Sequence, residues 1–164
     1  MKRKYINVTK EQREFFNIIE DLIKSTPVQE MKKYKQHYDV SCYTHSLEVS
    51  YLTYLYCKKH KLDYVSAARG ALLHDLFLYD WHVHQDNLPV KGKHAFAHPK
   101  IALINANKCF KLNKKEQDII VKHMWPVTLF HIPKYRESFI VTLIDKGNAL
   151  RSCRLYYSKR KKQI

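Results

Sequence analysis

Apolar positions along this chain recur mostly three and four residues apart, the spacing of one helix face, between short polar breaks. Phe15, Phe16, Ile19, Leu22 and Ile23 form the first such stripe; Thr9 and Gln12 are placed as a capping box, which predicts a helix to about Lys24, broken by Thr26 and Pro27. Ser41 is placed to cap a second helix, ending near His60, in which His45, Val49, Leu52 and Tyr56 share a face. Asp63 starts a third. There Val65, Ala68, Leu72 and Leu76 are expected to face inward, Ala67, Gly70 and Ala71 permit close packing, and His74 and Asp75 fall in the last turns.

No period is sustained from Tyr79 to Ala97, and Pro89 and Gly92 lie inside, so this reads as a long loop carrying His82, His84 and His94. Pro99 suits the first position of a helix running to about Phe110. Asn113 with Glu116 resembles another cap, before a helix through His123 and Met124, and Pro126 and Pro133 bound the next loop. The last helix is expected from about Lys134 to Tyr157, with Phe139, Leu143, Ala149 and Leu150 among its apolar positions and Asp145 set among them. Together these elements predict an all-α, single-domain bundle of about six to seven helices over 1–164, with basic, frayed termini at 1–8 and 158–164.

Composition narrows the class. The chain is long enough for one core and has no repeat or Pro/Gly-rich linker to mark a second domain. Cys42, Cys57, Cys109 and Cys153 are too scattered for a zinc knuckle or a disulfide framework. The first fifteen residues are too polar for a signal peptide, and no stretch approaches the ~20 apolar residues of a membrane span. These features predict a reduced cytoplasmic protein with no membrane partner; self-association into a homo-oligomer stays open. Thirty Lys and Arg against fifteen Asp and Glu, a formal charge of +15, favour phosphate-bearing partners: a small molecule, or nucleic acid on the basic surface. Tyr51, Tyr54 and Tyr56 read as packing residues rather than a base-stacking set.

The candidate chemistry lies in His45, the His74 and Asp75 pair, His98, His123 and Asp145, separated by gaps of 22 to 29 residues, one helix and one turn each. An antiparallel bundle returns such positions to a common level, where facing helices can hold a metal. Asp145 follows the apolar run from Phe139 to Ile144, broken only by Thr142, where an unpaired carboxylate would be strongly penalised. A lone histidine on a helix face is more often structural, and His98 and His123 also suit helix ends; His94 is an alternative to His98. Imidazole and carboxylate donors without thiolate suit one or two divalent ions of Mn, Fe, Co, Ni or Zn.

With THSLEV around His45, ALLHDLF around His74 and Asp75, and VTLIDKGNA around Asp145, the sequence resembles the HD superfamily of metal-dependent phosphohydrolases. His98 in HPKIA and His123 in IIVKHMW stand where two-metal members have further histidines, so the resemblance is greatest to the binuclear, nucleotide-hydrolysing branch and spans about Cys42 to Arg151. It implies that His45, His74, Asp75 and Asp145 hold one ion and that Asp75 bridges to a second bound by His98 and His123. It further implies hydrolysis of a phosphoester or phosphoanhydride, of a nucleotide above all, by a metal-activated water. Asp75 and Lys146 would serve the catalysis, and Arg136 and Lys146 would meet substrate phosphate. Leu78 stands where many HD proteins have a lysine, which leaves the substrate contact to Lys146, Arg136 or the long loop. Two rivals share this scaffold: a nucleic-acid-binding protein with a degenerate site, and a di-iron oxygenase using the same donors on dioxygen.

Overall fold

A computed structural model describes residues 9–37, 39–83 and 86–161. Residues 1–8 and 162–164, at the two basic termini, and His84 lie outside this set.

Helices begin where the sequence supplies an acceptor for their first free N–H groups. Helix α1 (Lys10–Ile23) opens on the full capping box, Thr9 Oγ1 accepting from Gln12 N at 3.2 Å while Gln12 Oε1 accepts from Thr9 N at 2.9 Å. A short α2 (Thr26–Glu30) forms where the sequence indicates only a break, because Pro27 sits in the first turn, whose N–H groups have no helical partner anyway. Strands β1 (Lys35–His37) and β2 (Val40–Ser41) form a small antiparallel hairpin, too short to show a period of two in the sequence. Ser41 then caps α3 (Cys42–Lys59), and Asp63 caps α4 (Tyr64–Leu73) by accepting from Ser66 N at 3.0 Å. After the loop come α5 (His94–Cys109), α6 (Lys114–Lys122), opened by the Asn113 and Glu116 capping box, and α7 (Arg136–Lys161). The described residues thus hold seven helices around one centre, and no described helix is long and apolar enough to cross a membrane.

Four expectations need correction. Helix α5 starts from extended Lys93, five residues before Pro99, so that Pro99 lies inside the helix, beyond its first turn, and donates no backbone hydrogen bond there. Val65 is 42% exposed rather than inward, while its neighbours Ser66, Ala67 and Ala68 are buried. The buried face of α7 is polar, formed by Glu137, Ser138, Thr142, Asp145 and Asn148 with Val141, and Leu143 and Leu150 are exposed. Helix α7 is also described as far as Lys161, past Tyr157.

Phe15, Ile19 and Leu22 of α1 are fully buried, and Phe15 packs edge-on to Tyr51 and against Tyr54, with ring centroids 5.0 and 5.4 Å away. Those two tyrosines are therefore packing residues, while Tyr56 lies exposed against His60. Helices α3 and α4 approach so closely that Ser50 Oγ donates to the Ala68 carbonyl at 2.7 Å. On its other side α4 meets α6 at Gly70, where an added Cβ would lie 3.0 Å from Ile119 Cβ and 2.9 Å from its Cδ1. Gly70→Ala is expected to gain about 1 kcal/mol of helix propensity and lose about 1–3 kcal/mol to overpacking, a net destabilisation of about 1 kcal/mol. Thermal unfolding checks the sign, and a variant more stable than wild type would show that Ile119 gives way without cost.

Candidate metal centre

Local structure delivers the six side chains one helix at a time. His45 lies in the first turns of α3 and Asp145 midway along α7. His74 and His123 are the C-caps of α4 and α6, and each donates Nδ1–H to the carbonyl three residues back, Ala71 at 2.6 Å and Ile120 at 2.8 Å. Asp75 follows where the chain leaves α4; this exit is fixed by Leu78 in the left-handed region (φ 55°) and by Asn105 Nδ2, which donates to the Leu76 and Phe77 carbonyls at 2.9 and 3.3 Å. His98 projects from α5, with Nδ1 on the His94 carbonyl at 2.9 Å. His45 Nδ1 meets Asn148 Oδ1 at 3.2 Å. Every one of the four imidazoles thus has Nδ1 on an oxygen acceptor, which leaves Nε2 to face the interior.

The six side chains are buried and converge as two groups that share Asp75: His45, His74, Asp75 and Asp145, and Asp75, His98 and His123. The shared carboxylate is split between them. Its Oδ2 lies 3.0 Å from His74 Nε2 and 3.7 Å from His45 Nε2, whereas its Oδ1 lies 3.3 and 3.6 Å from the Nε2 atoms of His98 and His123. Asp145 Oδ1 closes the first group at 2.9 Å from His45 Nε2 and 3.5 Å from His74 Nε2.

This arrangement fits a metal better than it fits a hydrogen-bond network. His74 Nε2 and Asp75 Oδ1 are buried and lie at ion-pair distance from neighbours, yet neither has a partner in hydrogen-bonding geometry. His98 Nε2 and His123 Nε2 face each other at 2.8 Å, although both rings already donate through Nδ1. Lone pairs directed at a common point are costly unless a cation lies between them. The electrostatics agree. Burial opposes charge on His74, but the Asp75 and Asp145 carboxylates outweigh it and raise its affinity for a proton well above the ordinary value. Burial likewise disfavours both carboxylates as anions, and the imidazoles hold them well below the usual range. Burial, then the charges of His74 and His98, push His123 down to about 3. Two carboxylates with one favoured imidazolium form a buried pocket that seeks positive charge.

The other anticipated residues divide. Lys146 borders the centre, half-buried, its ammonium donating to the His123 carbonyl at 2.8 Å; burial lowers its proton affinity. Arg136 does not join it: it is exposed at the start of α7, nine residues before Asp145, or about 13 Å of helix axis. His98, not His94, enters the cluster; His94 stacks on His98 at 4.4 Å and its Nδ1 meets the Tyr79 hydroxyl at 2.8 Å. His82 is exposed beside Asp80. Two residues escaped the sequence reading. Asn148 stands one helical turn after Asp145, and that spacing marks it as a neighbour on the same face. Gln36, whose Nε2 donates to Asp75 Oδ2 at 2.6 Å, gave no signal, since its hairpin is too short to read.

No curated protein and no solved structure gives a significant match to the chain. One family pattern does match, that of the HD domain, over residues 42–149, a stretch that contains all six converging side chains. The chain therefore belongs to the HD-domain family, within the superfamily of metal-dependent phosphohydrolases.

Proposed function

We propose that this protein is a two-metal phosphohydrolase that cleaves a phosphoester or phosphoanhydride of a nucleotide. The observation that carries the reading is the division of Asp75 between two groups of inward-facing imidazoles. His45, His74, Asp75 and Asp145 would hold one divalent ion, and Asp75, His98 and His123 a second. When bound, such ions supply Lewis acidity toward phosphoryl oxygen and a water acidic enough to attack near neutral pH. The chain's own part is to hold each imidazole by its Nδ1 so that Nε2 faces the ions, bury the donors from bulk water and set Lys146 beside the centre as a further positive charge.

A cavity of about 650 Å³ adjoins the centre through His94 and is lined by Tyr79, Trp81, Leu88, Val90 and Lys93 among others. Apolar and aromatic walls with an ammonium group suit a base and its phosphates, and the volume falls within the range of about 300–1,000 Å³ typical of small-molecule sites. Lys91 and Lys93 outnumber Asp86 in this lining, which favours an anionic, phosphate-bearing substrate. The test is release of phosphate or pyrophosphate from a panel of nucleotides and ribose phosphates by protein loaded with Mn²⁺, Fe²⁺, Co²⁺, Ni²⁺ or Zn²⁺. Turnover of a nucleotide is expected. No turnover of any phosphoester, together with steeply salt-dependent RNA binding, would replace this reading with the nucleic-acid one. Independently, His98→Ala and His123→Ala are each expected to remove about half the bound metal, which elemental analysis reads. Full retention in both would argue for a single-ion site.

A further inference from the structure

We infer that Gln36 is a positioning residue of the metal centre, holding the shared carboxylate in the orientation that divides it between two ions. The inference rests on the two-ion reading and adds to it a part of the molecule outside the matched stretch, which begins at residue 42. Strand β1 pairs Lys35 with Ser41 but His37 with Val40, so the ladder carries an irregularity at Gln36. An extra residue of this kind turns a side chain out of the regular alternation and is common beside active sites. Here it sends Gln36 inward, where the residue is 8% exposed and Nε2 donates to Asp75 Oδ2 at 2.6 Å.

The orientation of the amide is itself fixed. Cys42 Sγ donates to Gln36 Oε1 at 3.3 Å, and burial, reinforced by the Asp75 charge, holds that thiol in its protonated, donating form. A carboxylate only accepts and a thiol here donates, so the amide fits one way round. The chain of contacts therefore runs from Cys42 through Gln36 to the Asp75 oxygen that faces His74 and His45, leaving Oδ1 to face His98 and His123. Without the amide, the carboxylate is free to rotate about its terminal bond and give both oxygens to one ion. Asp75 on its own lacks this constraint, because His74 adjoins it in sequence and moves with it. The hairpin is also tied to the substrate side, since Trp81 Nε1 donates to the Lys35 carbonyl at 3.1 Å.

The test uses the full chain, stripped of metal and titrated with Mn²⁺ in equilibrium dialysis, with thermal unfolding of the metal-free protein alongside. Gln36→Met keeps the length and apolar stem but removes the amide; Gln36→Asn keeps the amide but shortens its reach. Both are expected to bind the second Mn²⁺ about 10- to 100-fold more weakly, the effect typical of lost outer partners, with metal-free stability little changed. Cys42→Ser, which still donates, should bind as wild type does, and Cys42→Ala should show part of the loss. Wild-type Mn²⁺ affinity in Gln36→Met, or a loss of metal-free stability with affinity intact, overturns the inference and leaves the two-ion reading standing. A wild-type protein that binds fewer than two Mn²⁺ overturns both.

Discussion

Asp75→Asn is expected to abolish hydrolysis and to remove the stabilisation that bound metal gives the fold. Asparagine keeps the shape of the side chain but loses the charge and one anionic oxygen, so it cannot serve two cations at once. Charge stabilisation by such ions is worth several kcal/mol in the transition state; a loss of about 4 kcal/mol corresponds to a fall of about 10³-fold in kcat/KM. The same substitution has a second, independent readout. A ligand present at about a thousand times its Kd stabilises the folded chain by about 4 kcal/mol, and for a domain of this size each kcal/mol shifts Tm by about 2–4 °C. Chelation should therefore lower the Tm of metal-loaded wild type by roughly 8–16 °C and leave Asp75→Asn almost unmoved. Retention of activity and of the metal-dependent Tm in the variant would mean that Asp75 is not a ligand.

The helices were legible because their boundaries are local chemistry. Thr9 with Gln12, Ser41, Asp63, and Asn113 with Glu116 all cap helices where the sequence places them, since a capping side chain needs only its own next turn. The order and spacing of the six buried acids and imidazoles were legible for a related reason: five helices bring one position each, the adjacent His74 and Asp75 counting as one, and a bundle returns them to one place. What stayed hidden depended on partners distant in sequence. Leu143 and Leu150 carry the apolar character of α7, yet the inward face belongs to Asp145, Thr142 and Asn148, because the helix packs against the centre and not only against a greasy core. Pro99 carries a start signal that the preceding turn overrides. Gln36 reaches Asp75 across 39 positions from an irregular hairpin, and no local period records such a contact. Arg136 looked suitable by charge alone, and only the helix length separates it from Asp145.

Arg69→Met should destabilise the fold by about 3 kcal/mol, the usual cost of leaving a buried charge without its partner. Arg69 Nη1 and Nη2 hold Asp21 of α1 at 2.6 and 2.8 Å, Nε holds Glu116 of α6 at 3.1 Å, and Nη1 also donates to the Ile18 carbonyl at 2.9 Å. One guanidinium on α4 thereby joins the two helices on either side of it. Glu116 is the decisive partner, because its side chain is 5% exposed and water cannot replace the lost donor. Surface pairs such as Lys24 with Glu20, both largely exposed, are worth about 0–1 kcal/mol by comparison. With about 2–4 °C per kcal/mol, the expected fall in Tm is roughly 6–12 °C. Acid gives a check on the cause. The Arg69 guanidinium holds the Asp21 carboxyl below its ordinary range despite partial burial, so this contribution is present above the unfolded value of about 4 and is lost as pH falls through the folded one. The gap in Tm between wild type and Arg69→Met should therefore narrow below about pH 4. A gap that stays constant through that range would assign the stabilisation to the Arg69 stem and its bond to buried Glu116 rather than to the Asp21 pair, and a loss under about 1 kcal/mol would place Arg69 among ordinary surface bridges.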